Sequence, residues 1–290
     1  MIGRAASRGA ATIVNAIATG KGAAFGITLE TDAVVELEEG NGDVLLRDSS
    51  EGQELVAGIV RAIAARTDPD RRVRGEVHVR SEIPISRGLK SSSAVSNAVS
   101  LAASKALGAN LSDMDIVLTG VEESIKAGVT ITGAFDDASA CFLGGVVVTN
   151  NRTFTVLHRG TMDPDLEVLL HVPDRRIPKS SVKGLDFSPI REQVEKALEL
   201  ALKGEYLQAM ELNSKAYSKV LDVSEDAAHI ARKNGALAAG ISGTGPATAI
   251  VCDRAETGSV LTALGKLLEG KILRAKINDV SAREVIPRLF

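Results

Sequence analysis

Apolar residues fall along the chain in runs whose spacing switches between strand-like and helix-like. Residues 33–37 and 44–47 read as strands paired across the turn residues Gly40-Asn41-Gly42. Residues 55–65 carry apolar positions at helical spacing and stop at the breaker Thr67-Asp68-Pro69-Asp70. Alternation through Val77-His78-Val79-Arg80 predicts a strand, closed by Pro84. Two helical patterns follow, at 94–107 and 112–126. The second has Ser112 as its cap, with Asp113 and Asp115 in the first turn, where the positive dipole end favours them. Residues 142–149 read as a short buried strand beginning at Gly144-Gly145.

Asn150-Asn151 is a turn signal, and 154–158 form a further strand before the break at 160–164. A domain boundary is expected in that region, with an N-terminal unit over 1–155 and a C-terminal unit over 156–290. In the second unit, residues 166–171 read as a strand. Three helices follow at 189–203, 206–221 and 225–234, the last stopped by Asn234-Gly235. A strand at 247–252, a helix at 258–268 and a strand at 272–277 complete an α+β sandwich.

Composition narrows the function classes. The chain has 290 residues, 44% of them hydrophobic, enough for two modest domains with a real core. With 34 basic against 37 acidic residues the net charge is only −3, so no global field recruits nucleic acid or an anionic membrane, and an anionic ligand must be met locally. Aromatics make up 3% and Trp is absent, which argues against a base-stacking surface. Cys141 and Cys252 lie in separate apolar runs without ligand spacing and read as buried free thiols. His78, His158, His171 and His229 sit beside no triad-like partner and read as structural or surface residues. The first 29 residues hold Arg4, Arg8 and Lys21 but no acid, a bias that imitates a leader; Asn15 and the continuing glycines argue against one. No apolar run approaches the roughly 20 residues that span a bilayer, so a soluble cytoplasmic protein is expected.

Chemistry is densest at Pro84-Ile85-Ser86-Arg87-Gly88-Leu89-Lys90-Ser91-Ser92-Ser93-Ala94. A glycine and three serines stand where an apolar helix begins, and unpaired N–H groups with the positive dipole end there favour anions. A plain Ser cap is the structural alternative. This segment resembles the second motif of the GHMP kinases, the superfamily of galactokinase, homoserine, mevalonate and phosphomevalonate kinases. Their pattern is Pro-x-x-x-Gly-Leu-x-Ser-Ser, which Pro84, Gly88, Leu89, Ser91 and Ser92 match. Gly240-Ile241-Ser242-Gly243-Thr244-Gly245-Pro246 matches the third motif. The run from Gly9 to Gly20, and Thr132-Gly133-Ala134-Phe135-Asp136-Asp137-Ala138, look most like the archaeal type of shikimate kinase.

The resemblance implies an α+β two-domain GHMP kinase fold, the N-terminal half ribosomal-protein-S5-domain-2-like and the C-terminal half a ferredoxin-like α/β sandwich. It implies ATP in the crevice between the halves, against residues 84–94 with Gly243 and Gly245, and Mg²⁺ held by Ser92 and Glu123. Two glutamates late in a helix, Glu122 and Glu123, otherwise read as a solvated face; Glu123, five residues before Gly128, best fits the family spacing. Asp136-Asp137, expected in a loop ahead of an apolar stretch, supply the catalytic acid, with Asp136 favoured as the base or hydroxyl-orienting group. Substrate contacts are expected from Asn15, Thr132, Gly133 and Ser242. Arg175, clustered with Arg176 and Lys179, is the candidate fork for a substrate carboxylate.

One departure stands out. The mevalonate kinase branch has Lys after the glycine of its first motif, and here that place is Ala10, leaving Arg8, Asn15 or Lys21 as substitutes. Gly20-Lys21 and Gly265-Lys266 lack the following Ser or Thr of a P-loop, which argues against a kinase of that type. The expected activity is phosphorylation of the 3-hydroxyl of shikimate by a monomer or homodimer. The alternatives are another GHMP kinase, acting on homoserine or mevalonate, and a non-catalytic nucleotide- or sugar-binding sensor.

Overall fold

A computed structural model describes residues 1–47, 52–130, 132–175, 177, 181–182 and 184–288. Its frame is a long antiparallel pair, β1 (Ile2–Val14) and β2 (Lys21–Glu39). The other edge of β2 is shared: its first residues pair with β5 (Val146–Asn150) and its last nine with β4 (Val73–Ser81). β6 (Thr155–Gly160) extends the sheet beyond β5. The expected boundary at 155 therefore falls on the first residue of β6, whose partner lies in the N-terminal sheet.

The expected hairpin between 33–37 and 44–47 does not form. β4 takes the edge of β2 over nine residues, and β3 (Val44–Leu46) pairs outside it, parallel to β4. Helices α1 (Gln53–Thr67), α2 (Ser91–Leu107) and α4 (Phe135–Leu143) pack on one face of this sheet, and α3 (Asp113–Lys126) packs over them. α3 carries the expected cap, with Ser112 Oγ accepting from Asp115 N at 3.1 Å and the Asp115 carboxylate accepting from Ser112 N at 3.1 Å. Apart from 33–37, β1 and β2 escaped the sequence reading because small residues, poor strand formers, dominate them. Small size serves packing here: a Cβ on Gly3 would lie 2.0 Å from the Ala102 carbonyl oxygen of α2.

The second half holds β7 (Glu167–Val172), α5 (Arg191–Leu202), α6 (Tyr206–Leu221), α7 (Asp226–Lys233), β8 (Ala238–Ile241), β9 (Thr248–Cys252), α8 (Thr257–Leu267) and β10 (Lys271–Lys276). Its antiparallel sheet runs β10-β7-β9-β8, the ferredoxin-like order. β8 was missed because its four residues, Ala-Ala-Gly-Ile, carry no alternation.

One apolar core joins the halves. Val14, Phe25, Ile27 and Val147 from the first sheet pack with Val168, Leu170, Val194 and Tyr217 from the second half. Burying each large side chain contributes roughly 1.5–3 kcal/mol, so the two halves are held as a unit. After β10 the chain returns to the first sheet, where Asn278 N donates to Gly26 O at 3.0 Å and Arg288 pairs with the buried Glu30 at 2.6 Å. Cys141 and Cys252 are buried free thiols, as expected. Among the described residues, no helix is long and apolar enough to cross a membrane.

Candidate active site

The turn after β4 delivers the chain to α2, and α2 begins at Ser91, as its serine run predicts. Lys90 stands before it in the left-handed region, φ 66°, and no side chain caps the helix. The first-turn amides of α2 are thus left for a ligand rather than for a cap. Gly88 has φ 84°, and a Cβ there would lie 2.1 Å from the carbonyl oxygen of Ser242, so only glycine lets the two loops meet.

Ser242 is fully buried between these loops. Its hydroxyl donates to Gly88 O at 2.8 Å and accepts from Thr12 N at 3.2 Å. Gly243 N donates to Thr12 Oγ1 at 2.8 Å, and Asn15 Nδ2 donates to Gly243 O at 2.8 Å. The Arg87 guanidinium donates to the carbonyls of Pro173 and Arg175. These bonds stitch the loop before α2, the end of β1 and the third-motif loop together across the two halves.

Between them lies a cavity of about 350 Å³. Residues 84–92 line it, with Gly243, Gly245, Asn15, Thr132, Asp136 and Asp137. Leu55, Ile85, Val95 and Val129 give it an apolar wall suited to a planar base. Ser93 and Ala94 belong to the first turn of α2 and are buried. The remaining expected site residues lie off the cavity wall. Gly133 packs toward Phe154, Val121 and Ile125, and Ser242 serves as a tie between loops instead of a substrate contact. Arg175 is exposed and engages through its carbonyl, while Arg176 and Lys179 lie outside the described residues. Glu123 is buried, with Lys126 Nζ 2.5 Å from one oxygen. Its other oxygen faces Gly58 of α1, where a Cβ would come within 2.4 Å.

Asp136 and Asp137 occupy the first turn of α4, not a loop. Ala134, in the left-handed region at φ 49°, starts the helix without a side-chain cap, and both acids lie near the positive end of its dipole. Asp136 is 4% exposed. Burial first, and the Asp137 charge second, push its carboxyl up to about 7, against the pull of Lys90 and of a hydrogen bond from Asn151. Lys90 Nζ lies 2.9 Å from Asp137 Oδ1, its side chain 6% exposed. That cation answers the question left by Ala10. Arg8 is bound to Asn278 Oδ1 at 2.5 Å, Lys21 is exposed and Asn15 is bound to Gly243 O, so Lys90 is the cation that stands beside the acids.

Asn151 also meets these acids, a contact that the sequence does not announce. It donates to Asp136 Oδ1 at 2.8 Å, yet in sequence it reads only as a turn residue after a strand. Nothing local tells that it meets a carboxylate fifteen positions earlier.

Family models for the GHMP kinases match both halves, the N terminal domain over residues 54–145 and the C terminal over 192–270. The chain belongs to the GHMP kinases. This GHMP kinase is 41% identical to the shikimate kinase of Methanothrix thermoacetophila over 98% of its own length and 96% of that protein. It is 43% identical to the shikimate kinase of Thermococcus kodakarensis, over 87% and 93% of the two chains. Among solved structures it resembles homoserine kinase from Cytophaga hutchinsonii, with a TM-score of 0.75 and 16% identity over 95% of each chain. Mevalonate kinase from L. major, in complex with R-mevalonate, gives 0.73 and 16% over 97% of each. At such identity those two structures speak for the fold, which is the two-domain architecture expected from the motifs.

Proposed function

We propose that the protein is an ATP-dependent shikimate kinase, transferring a phosphoryl group to the 3-hydroxyl of shikimate. The observation that carries the chemistry is the placement of a buried carboxylate, Asp136, in the same cavity as the uncapped start of α2. The substrate choice rests on the near full-length similarity to archaeal shikimate kinases.

Phosphoryl transfer asks the protein mainly for positioning and charge stabilisation. The amides of Ser91 to Ser93 and the α2 dipole bind the phosphates, and Gly243 and Gly245 let the third-motif loop close over them. Lys90 brings a positive charge to the junction between phosphates and acids while holding Asp137. Asp136 orients the attacking hydroxyl and takes its proton, a task for which a value near 7 is well matched. Asn15 and Thr132 offer polar contacts to the substrate from the cavity wall.

Of the two expected magnesium donors, Ser92 faces the cavity, whereas Glu123 lies off its wall with one oxygen on Lys126 and the other against Gly58, so only the hydroxyl is placed for a hard cation there. Magnesium at Ser92 would neutralise charge on the phosphates. A coupled ADP-release assay over shikimate, homoserine and mevalonate tests the whole reading. Turnover with shikimate is expected; turnover only with another alcohol moves the assignment within the family. Ligand binding without ADP from any alcohol would leave a sensor.

A further inference from the structure

The cavity's acid has a partner that neither motif nor spacing announces. Asn151 follows β5, is 4% exposed, and has its backbone N–H held by Gly20 O at 2.8 Å. Its Oδ1 accepts from Thr149 Oγ1 at 2.7 Å, and its Nδ2 donates to Asp136 Oδ1 at 2.8 Å while lying 3.5 Å from Thr132 Oγ1. Thr149 is fully buried. The Thr149 hydroxyl, which can donate or accept, anchors the amide, and the ionised Asp136 carboxylate, an acceptor only, sets which way it points. The opposite orientation would set two acceptor oxygens against each other whenever Asp136 is ionised. The other carboxylate oxygen, Oδ2, faces β2 at Gly22, where a Cβ would lie 2.2 Å away.

We infer that Thr149 and Asn151 form a positioning relay for the kinase reaction: Thr149 anchors the Asn151 side chain, and the amide clamps Asp136 Oδ1, holding the carboxylate of the cavity wall in one orientation. Asn151 itself touches no reacting atom. An amide N–H cannot accept the proton, so the clamp favours the ionised carboxylate. Lys90 and the backbone N–H of Asp137 act on Asp136 in the same direction as Asn151, while the Asp137 charge opposes them. Tyr217 of α6 and Cys141 of α4 are the other titratable groups that feel its charge. The inference rests on Asp136 as the base.

The test compares Asn151→Leu, Thr149→Val, Thr149→Ser and Asp136→Asn in the full-length protein, reading kcat/KM for shikimate against pH. Losing a hydrogen bond to a charged group should move the acidic limb of Asn151→Leu up by about one pH unit or more, roughly a tenfold loss below pH 7. The deficit should shrink toward pH 9, with KM for ATP within about twofold of wild type, since the clamp touches no nucleotide. Thr149→Val should shift the limb less but in the same direction, and Thr149→Ser should restore it. A limb that stays in place, with activity lost equally at every pH, overturns the relay. If Asn151→Leu does not fold, the isosteric Thr149→Val decides by the same limb. Turnover that survives in Asp136→Asn would instead overturn the assignment of the base, which separates the two failures.

Discussion

Lys90 and Asp137 meet inside the cavity, Nζ 2.9 Å from Oδ1, with the lysine held in a left-handed turn immediately before α2. One residue therefore ties two segments, the loop that leads into α2 and the acidic first turn of α4. Removing its charge leaves Asp136 and Asp137 as neighbouring carboxylates without a counter-charge. Lys90→Met is expected to lower kcat by about 10²-fold or more, the usual worth of a charge aimed at a reacting centre. Lys90→Arg should not restore it, because a planar guanidinium is not a compact ammonium and the slot is closed. Steady-state kinetics of the two variants check this, and near wild-type turnover in Lys90→Met would remove the lysine from the mechanism.

Asp136 sets a pH dependence. In the free protein its carboxyl lies near 7, raised mainly by burial, so kcat/KM for shikimate should climb with pH through about 7 and level off above it. A profile already flat from pH 5 upward would show that another group, or none, takes the proton.

The same shift bears on stability with a definite sign. The folded value exceeds the unfolded one, so folding binds this proton more tightly; the stabilising contribution is full below the unfolded value and lost as pH rises through about 7. Asp136→Asn keeps the shape and removes the buried charge. It should abolish turnover yet raise the thermal midpoint at pH 8, by about 2–4 °C for each kcal/mol recovered, with the gain fading at pH 5. Thermal melts at the two pH values decide it, and a variant less stable than wild type at pH 8 would contradict the account.

Glycines can be sorted by what surrounds them. Gly88 has φ 84° and the Ser242 carbonyl in the place of a Cβ, so Gly88→Ala should separate the two loops, weaken ATP binding and lower the thermal midpoint. Gly265, inside α8, has open space around it and an ordinary backbone. Gly265→Ala should leave kinetics unchanged and stabilise the protein by about 0.5–1 kcal/mol. Denaturation of both, with KM for ATP, distinguishes a contact glycine from a dispensable one.

The legible parts of this molecule are those whose cause is local. Ser91 at the start of α2, the Ser112 cap of α3 and the four helices α5 to α8 of the second half announce themselves through capping and period. The long pair β1 and β2 does not, because its alanines and glycines answer to α2 lying across them. Likewise the β3 register depends on β4, thirty residues on, and the helical first turn holding Asp136 begins at an alanine with positive φ. In the site, the motifs located the cavity wall, but the lysine's carboxylate partner and the Asn151 clamp arise only when β5, α2 and α4 converge.

Gly22 offers the sharpest separation of function from stability. It lies in β2 opposite Thr149, with a backbone any residue can adopt, yet a Cβ there would meet Asp136 Oδ2 at 2.2 Å and Cγ at 2.7 Å. The side chain it would strike is short, and its other oxygen is held by Asn151, so the carboxylate must swing away from its place in the cavity wall. Misplacement of a reacting group by about 1 Å costs on the order of 10²-fold in rate. Gly22→Ala is therefore expected to lose about that factor in kcat while its thermal midpoint falls by no more than a few degrees, since backbone pairing with β1 and β5 is unaffected. A parallel collapse of folding and activity would mean that the strand, not the carboxylate, absorbs the added methyl group.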